Sequence, residues 1–310
     1  MKIGIIGATS NIAGKAYLPV YAGLQDAHDF VIYSREIEKA EAIQKRYHFA
    51  AATANLSELE SCQLVMIHAA TSEHYALAEH FLSAGVHVFV DKPVSENFEE
   101  VQALQQIAAD KNVLFIVGFN RRFAPLTQKL KAVKDKNLIA ISKNQADNAA
   151  DLKYTLYDVF IHPLDTLIYL LDDEILDARY RLFKDDDGKL KQILVTLQTP
   201  STIGMASMNL LSGAFTEDFR VESQSGTYTV KELENFQKVT GRTAESEDLT
   251  GWMPATARRG FDKMIEESLS AVAAFDGNNR EQLQEQLLQS TVLQSHAIID
   301  YILSEEGDEK

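Results

Sequence analysis

The chain has 310 residues, 45% hydrophobic and 24% charged, a composition that excludes extensive disorder and predicts about two domains. A formal net charge of −15 disfavours binding to nucleic acid or to anionic membrane surfaces. The one cysteine, Cys62, excludes an intramolecular disulfide and a cysteine-based zinc site. No signal-peptide pattern or apolar run of ~18 residues is present, so we expect a soluble, cytoplasmic protein.

Residues 1–119 alternate between short apolar runs and segments of helical spacing. This alternation is typical of a doubly wound parallel sheet with helices on both faces. The predicted strands are Ile3–Ile6, Phe30–Tyr33, Leu64–Ile67, Val86–Val90 and Val113–Val117. The predicted helices are Ile12–Leu24, Ile37–Tyr47, His74–Ala84 and Phe98–Ala109. We therefore expect residues 1–119 to form one doubly wound α/β domain.

A turn between the first strand and the first helix is the candidate cofactor-binding loop. Such a turn directs backbone N–H groups and the positive end of a helix dipole at a pyrophosphate. Gly7 would make the turn, and Ala13 or Gly14 would allow close packing of the helix on the strand. Two hydroxyl residues replace the usual middle glycine and could donate to a phosphate, although a plain structural turn is the alternative. The predicted contacts here are Gly7, Thr9, Ser10, Asn11 and Ile12.

The second strand ends at Ser34-Arg35, where many dinucleotide-binding domains place a carboxylate that binds the adenosine ribose. A guanidinium suits a 2′-phosphate instead, so this pair predicts NADP over NAD. The alternative is a solvated arginine at the start of the second helix.

Residues 120–310 follow another rhythm, with strands in succession flanked by helices. This order predicts an α+β domain with an open, mostly antiparallel sheet. The predicted strands are Ala178–Lys184, Gln192–Gln198, Thr202–Leu210, Phe219–Ser223 and Gly226–Val230. The predicted helices are Tyr157–Leu171, Ala257–Phe275 and Arg280–Leu303.

Four ordered motifs carry a family resemblance. They are Asp91-Lys92-Pro93, Gly118-Phe119-Asn120-Arg121, the pair Asp158 and His162, and Gly251-Trp252-Met253-Pro254. With the opening strand–turn–helix they resemble the Gfo/Idh/MocA family of NAD(P)-dependent oxidoreductases, and its MviM-like bacterial branch. The resemblance implies a Rossmann domain, a second domain for substrate binding and oligomerisation, and a homodimer or homotetramer built on the outer sheet face. It also implies a cis peptide bond before Pro93.

The family's chemistry moves a hydride between a carbon and nicotinamide while a base takes the hydroxyl proton. His162 is suited to be that base, and Asp158, four residues earlier, could orient its ring. Lys92 would donate to the reacting oxygen. The predicted catalytic residues are Lys92, His162 and Asp158. The predicted substrate residues are these three with Asn120, Tyr157 and Asp165, and the remaining predicted cofactor contacts are Ala70, Thr71, His74, Lys92 and Arg121.

The leading functional hypothesis is an NADP-dependent oxidoreductase, with NAD possible, acting on a sugar, polyol or related cyclic alcohol. One alternative is a non-catalytic NAD(P)-sensing regulator, and another is redox-assisted glycoside cleavage on the same fold. His68, His74 and His80 do not share a helix face, so a metal site has little support.

Overall fold

The computed structural model describes residues 1–146, 149–249 and 251–307. The chain divides into two compact units. The first comprises residues 1–118 and 261–290, and the second comprises residues 119–260 and the C-terminal segment from 291. The predicted domain boundary at 119/120 assigns residues 261–290 to the second domain, whereas in the structure this segment packs with the first unit. None of the described helices is long and apolar enough to cross a membrane.

The first unit contains a six-stranded parallel sheet with strand order β3-β2-β1-β4-β5-β6. Its strands are β1 (Lys2–Ile6), β2 (Asp29–Tyr33), β3 (Ala51–Thr53), β4 (Leu64–Ile67), β5 (His87–Asp91) and β6 (Phe115–Gly118). All four residues of β4 and of β6 are buried. Helices cover both faces of such a sheet, which is why these strands are continuous apolar runs. The doubly wound prediction is confirmed, and β3 is a strand the sequence prediction missed.

The second unit contains an eight-stranded sheet with order β14-β13-β12-β11-β7-β10-β9-β8. Its strands are β7 (Lys136–Ala146), β8 (Asp177–Lys184), β9 (Leu190–Gln198), β10 (Ile203–Asn209), β11 (Leu211–Ser223), β12 (Gly226–Lys231), β13 (Asn235–Thr240) and β14 (Thr243–Asp248). All neighbours are antiparallel except β7 and β10. The predicted mostly antiparallel sheet is confirmed, although β7, β13 and β14 were not predicted.

The α-helices are numbered along the chain; α5 and α6 were not predicted, and several of the others break within a predicted helix. They are α1 (Leu18–Ala22), α2 (Ile37–Tyr47), α3 (Thr71–Ser83), α4 (Phe98–Asp110), α5 (Pro125–Lys131), α6 (Leu152–Thr155), α7 (Ile161–Leu170), α8 (Ala255–Arg258), α9 (Phe261–Ala274), α10 (Arg280–Gln286) and α11 (Val292–Gly307). π-Helical turns at Ala13–Tyr17 and Leu156–Phe160 lead directly into α1 and α7. The single predicted helix 280–303 is wrong, because Leu288 adopts a left-handed φ of 59° between α10 and α11.

The segment 261–290 packs on the first unit through aromatic and amide contacts. The ring of Phe261 meets Tyr17 edge-on at 5.3 Å, and Phe275 meets His87 at 4.6 Å. The amide of Gln289 accepts from the backbone N–H of Val117 (2.9 Å) and donates to the Val117 carbonyl. These contacts satisfy the outer edge of β6 and explain why a C-terminal segment completes an N-terminal sheet.

Candidate active site

The turn after β1 requires a glycine. Gly7 has φ +77°, and a Cβ built on it would lie 2.4 Å from the backbone nitrogen of Ala69. Both the left-handed backbone and the close approach of the end of β4 exclude a side chain there. The predicted role of Gly7 in the turn therefore has a steric basis in the structure.

Ser10 caps the helix that follows this turn. Its N–H donates to the Gly7 carbonyl (2.9 Å), and its Oγ accepts from the backbone N–H of Ala13 (3.2 Å), the usual bond of an N-cap serine. Ala13 is fully buried and provides the close helix packing, whereas an added Cβ on Gly14 would meet nothing within 4 Å. The packing role predicted for Ala13 or Gly14 thus belongs to Ala13.

A cleft of about 310 Å³ lies at the carboxyl ends of β1, β2 and β4. Six of the predicted cofactor residues line it: Gly7, Thr9, Ser10, Ser34, Arg35 and Ala70. Lys39, Glu36 and Glu73 also line it, and Lys39 is paired with Glu36 at 2.6 Å. Asn11 and Ile12 are exposed at the start of the helical segment that follows Ser10, and Thr71 begins α3. The cleft falls at the low end of the ~300–1,000 Å³ of small-molecule pockets, and its glycine turn and polar lining fit the ribose-phosphate part of a dinucleotide.

The segment Asp91-Lys92-Pro93 follows β5, and its peptide bond before Pro93 is cis. Asp91 Oδ1 accepts from the Tyr17 hydroxyl (3.0 Å) and from the N–H of Lys92 (2.9 Å). Burial raises the pKa of Asp91, while Lys92 and the Tyr17 bond act in the opposite direction. These bonds hold the backbone of Lys92 at the end of the strand, where the half-buried lysine side chain begins.

His74 does not have the surface that a direct cofactor contact needs. It is 2% exposed, with Nδ1 2.8 Å from the Pro93 carbonyl and Nε2 3.0 Å from the Ala69 carbonyl. The ring therefore joins the end of β4 to the segment after β5. Burial lowers its pKa, against the effect of these two bonds. We do not retain His74 as a cofactor ligand.

In the second unit, Asp158 lies in the π-helical turn and His162 in the first turn of α7. Both side chains are half-buried. The hydroxyl of Tyr154 donates to Asp158 Oδ2 (3.0 Å). The Nδ1 atom of His162 lies 2.8 Å from Nη1 of Arg121. Arg121 thus contacts the ring that the sequence analysis expected Asp158 to orient.

Arg121 is itself buried and held by a carboxylate on β11. It is 6% exposed, and it donates through Nε and Nη2 to the two oxygens of Glu217, the Nη2 bond being 3.0 Å. Burial alone would raise the pKa of Glu217, but Arg121, Lys143 and Arg259 outweigh it and hold the pKa at about 2. Lys143 stands directly opposite Glu217 in the sheet register, 3.5 Å from Oε2. The predicted cofactor contact by Arg121 is not retained, because its donors are directed at Glu217 and His162.

Three predicted substrate residues lie in the interior of the second unit. Asp165 is 1% exposed and accepts from Arg122 at 2.6 and 2.9 Å. Tyr157 is fully buried, with its ring 6.2 Å from that of His296. Asn120 is 4% exposed and donates to the Arg259 carbonyl (2.7 Å). Because a substrate needs accessible atoms, we leave these three out of the proposed substrate contacts.

Sequence reasoning missed Tyr17, Glu217 and Lys143. For Glu217 a signal was present, because a strand alternates its faces. Phe219 and Val221 point to the interior, so Glu217, two residues earlier, shares their face. A carboxylate on an inward face needs a cationic partner, and Arg121 fills that need.

Comparison with known proteins agrees with this fold. Residues 1–119 match the family model described as an oxidoreductase family with an NAD-binding Rossmann fold, and residues 125–241 match the YceM-like C-terminal domain. YceM of Salmonella typhimurium is 31% identical over 266 residues, covering 84% of this chain and 86% of that protein. Inositol 2-dehydrogenase of Rhizobium meliloti is 27% identical over 72% of each chain. The crystal structure of a Gfo/Idh/MocA family oxidoreductase from Vibrio cholerae superimposes with a TM-score of 0.87 at 29% identity, covering 99% of both chains.

The chain therefore belongs to the Gfo/Idh/MocA family of NAD(P)-dependent oxidoreductases. This confirms the resemblance drawn from the motifs. It also confirms the two-sheet fold class that the resemblance implied.

Proposed function

We propose that the protein is an NADP-dependent oxidoreductase that transfers a hydride between nicotinamide and a sugar, polyol or related cyclic alcohol. The observation that carries the cofactor choice is the cleft wall formed by Ser34 and Arg35. The two residues that follow β2 are Ser34 and Arg35, in place of the carboxylate that binds a ribose with two free hydroxyls, and the next residue, Glu36, is paired with Lys39 at 2.6 Å. A guanidinium in that wall can bind a 2′-phosphate with two N–H donors.

The substrate class rests on the catalytic groups and on a relative. Lys92 at the end of β5 is a donor that can stabilise charge on an alcohol or carbonyl oxygen, and His162 is a second polar group for a substrate hydroxyl. One relative is named inositol 2-dehydrogenase, and inositol is a polyol. Bound NADP would supply the carbon-to-nicotinamide hydride transfer. The chain's own residues would bind the phosphates through the Gly7–Ser10 turn and orient the reacting oxygen.

Titration with NADPH and with NADH, followed by nicotinamide fluorescence, tests the cofactor choice. We expect micromolar NADPH binding and at least tenfold weaker NADH binding. Arg35→Ala should weaken NADPH by about tenfold to a hundredfold, because it removes a charge-assisted bidentate contact, and it should leave NADH binding unchanged. Arg46→Ala, on the outer part of α2, is the matched control. Equal binding of both nucleotides by the unaltered protein would contradict the NADP assignment.

We further propose that two copies associate through the outer face of the eight-stranded sheet. A shallow depression of about 370 Å³ lies on that face, lined in part by Leu194, Met205 and Ala140. Nearby Ile203 is 52% exposed. Apolar side chains grouped on the solvated side of a sheet mark an association surface. Because the same face on two copies can be self-complementary, a twofold dimer is the simplest assembly.

A further inference from the structure

Charged side chains occupy one end of the inner face of the eight-stranded sheet. A strand presents alternate residues to the same face, so Lys143 on β7 follows the buried Ile139 and Ile141. On β11, Glu217 precedes the buried Phe219 in the same way. In the register of the two strands, Ile141 stands opposite Phe219 and Lys143 opposite Glu217. The apolar face on which α7 packs therefore continues into an ionic end.

Arg121 joins this ionic end of the sheet to His162. It donates through Nε and Nη2 to the carboxylate of Glu217, and its Nη1 lies 2.8 Å from His162 Nδ1. The Nζ atom of Lys143 lies 3.5 Å from Oε2 of the same carboxylate. Lys143 is therefore linked to the candidate catalytic histidine through two side chains that contact each other.

Backbone contacts bring a further arginine, Arg259, beside this cluster. Its carbonyl accepts from the amide of Asn120 (2.7 Å), the residue before Arg121. Arg259 is exposed, and its side chain makes no ion pair within the part of the chain that the structure describes. Burial lowers the pKa of Lys143, and the charges of Arg121 and Arg259 lower it further against the effect of Glu217. The charge of Arg259 thus acts on the same group as the buried arginine.

The cluster has more cationic groups than its carboxylate can balance. Arg121, Lys143 and Arg259 all act on the single carboxylate of Glu217, and they do so in a chain whose formal net charge is −15. An ammonium has three N–H donors, so one contact with Glu217 leaves donors of Lys143 for another acceptor. A cation taken partly out of water without a full counter-charge is unfavourable, and a bound anion would supply that counter-charge.

We propose that this cluster binds an anionic group of the substrate, a carboxylate or a phosphate, so that the substrate is an acidic or phosphorylated sugar. Lys143, whose side chain is 21% exposed, and the exposed Arg259 are the direct contacts. Arg121 and Glu217 are buried and hold the cluster next to His162. This inference rests on the proposed function and narrows its substrate class, since the contact of Arg121 with His162 places the anionic group near the candidate catalytic residue.

Titration with three sugars that share one ring tests the proposal. The probes are D-glucose, D-glucuronate and D-glucose 6-phosphate, and ligand-observed NMR follows their binding to the unaltered full chain with and without NADPH. We expect one of the two anionic sugars to bind about tenfold more tightly than D-glucose, or better, as a charge-assisted contact provides. The tighter of the two identifies the group as a carboxylate or a phosphate. Equal binding of all three sugars, or binding of none, would overturn the proposal.

Variants test whether the cluster is the cause of that preference. Lys143→Met and Arg259→Met should each weaken the anionic sugar by about tenfold and leave D-glucose unchanged. Lys143→Met leaves Glu217 paired with Arg121, and Arg259→Met serves if it does not fold. Arg179→Met, which removes one positive charge from the edge strand β8, is the matched control and should leave the affinities for all three sugars unchanged. An anionic sugar bound equally well by both cluster variants and the unaltered protein would overturn the assignment.

Failure of the proposed function and failure of the anion site give different results. A preference for an anionic sugar that depends on the cluster, in a protein that shows no hydride transfer, would support the site and contradict the oxidoreductase. Turnover of neutral polyols with NADP, at affinities that the two cluster variants share, would support the oxidoreductase and overturn the site.

Discussion

At the scale of single residues, Glu217 shows how a buried carboxylate becomes a source of stability that depends on pH. Its position in the interior is unfavourable for a charge, but Arg121 and Lys143 supply compensating charge and hydrogen bonds. The balance leaves its pKa at about 2 in the folded protein, below the ~4.3 of an unfolded glutamate. The folded state therefore binds fewer protons at this site than the unfolded state between these two values.

We expect Glu217 to stabilise the fold above about pH 4.3 and to lose that contribution as the pH falls towards 2. The difference corresponds to about 3 kcal/mol. Chemical denaturation of the unaltered protein and of Glu217→Gln at several pH values measures it. The gap in the free energy of unfolding should be largest near pH 7 and should narrow below pH 4. A gap that stays constant down to pH 3 would contradict the assigned pKa.

Residue types and spacing predicted part of the candidate site, and burial explains the rest. The glycine turn, Ser34-Arg35 and Lys92 lie at carboxyl ends of strands, as expected for an open α/β sheet. Asp165 and Tyr157 share a helix with His162, but spacing along a helix does not say which neighbour will cover a face. Arg122, from another part of the chain, pairs with Asp165. The local sequence around Asp165 does not predict this contact.

At the scale of elements, β7, β13 and β14 were not predicted because their sequences lack a clear alternation of apolar and polar residues. In β7 only alternate positions such as Ile139 and Ile141 are buried and apolar, while Lys136 is buried through its pairing with Asp172 at 2.6 Å. β14 is exposed along its whole length. The sequence of β7 hides its alternation because Leu138 and Ala140 are apolar as well, although β7 lies at the centre of its sheet.

Two glycines with left-handed backbone, Gly260 and Gly188, differ in the space around them, and this difference predicts different costs for an alanine substitution. Gly260, between α8 and α9, has φ +84°, and a Cβ on it would lie 2.3 Å from the Asn120 carbonyl oxygen. Gly188, in the turn between β8 and β9, has φ +77° with nothing within 4 Å of such a Cβ. Gly260→Ala should therefore cost several kcal/mol, whereas Gly188→Ala should cost about 1 kcal/mol of conformational strain alone.

Thermal unfolding of both glycine variants measures this difference. The shared left-handed backbone makes Gly188→Ala the control for strain, so the excess loss in Gly260→Ala reports the steric contact. Equal losses in the two variants would contradict the close packing at Gly260.

At the scale of the whole molecule, the mass of the protein in solution tests the proposed dimer. Leu194→Glu places a charge in the depression on the outer sheet face and should convert a dimer into single chains. Tyr301→Glu, at a half-exposed position of α11, is the control and should leave the mass unchanged. Analytical ultracentrifugation measures both. A single-chain mass for the unaltered protein would contradict the dimer.

The chain enters the first unit twice, at its start and again at 261–290. On the ribosome, the six-stranded sheet is therefore made early but cannot acquire Phe261, Phe275 and Gln289 until most of the polypeptide has emerged. The second unit is likewise finished only by α11. Each unit depends on a late segment of the nascent chain, so synthesis that stops short of 290 leaves both incomplete. A chain that terminates before 290 therefore lacks residues that complete both units.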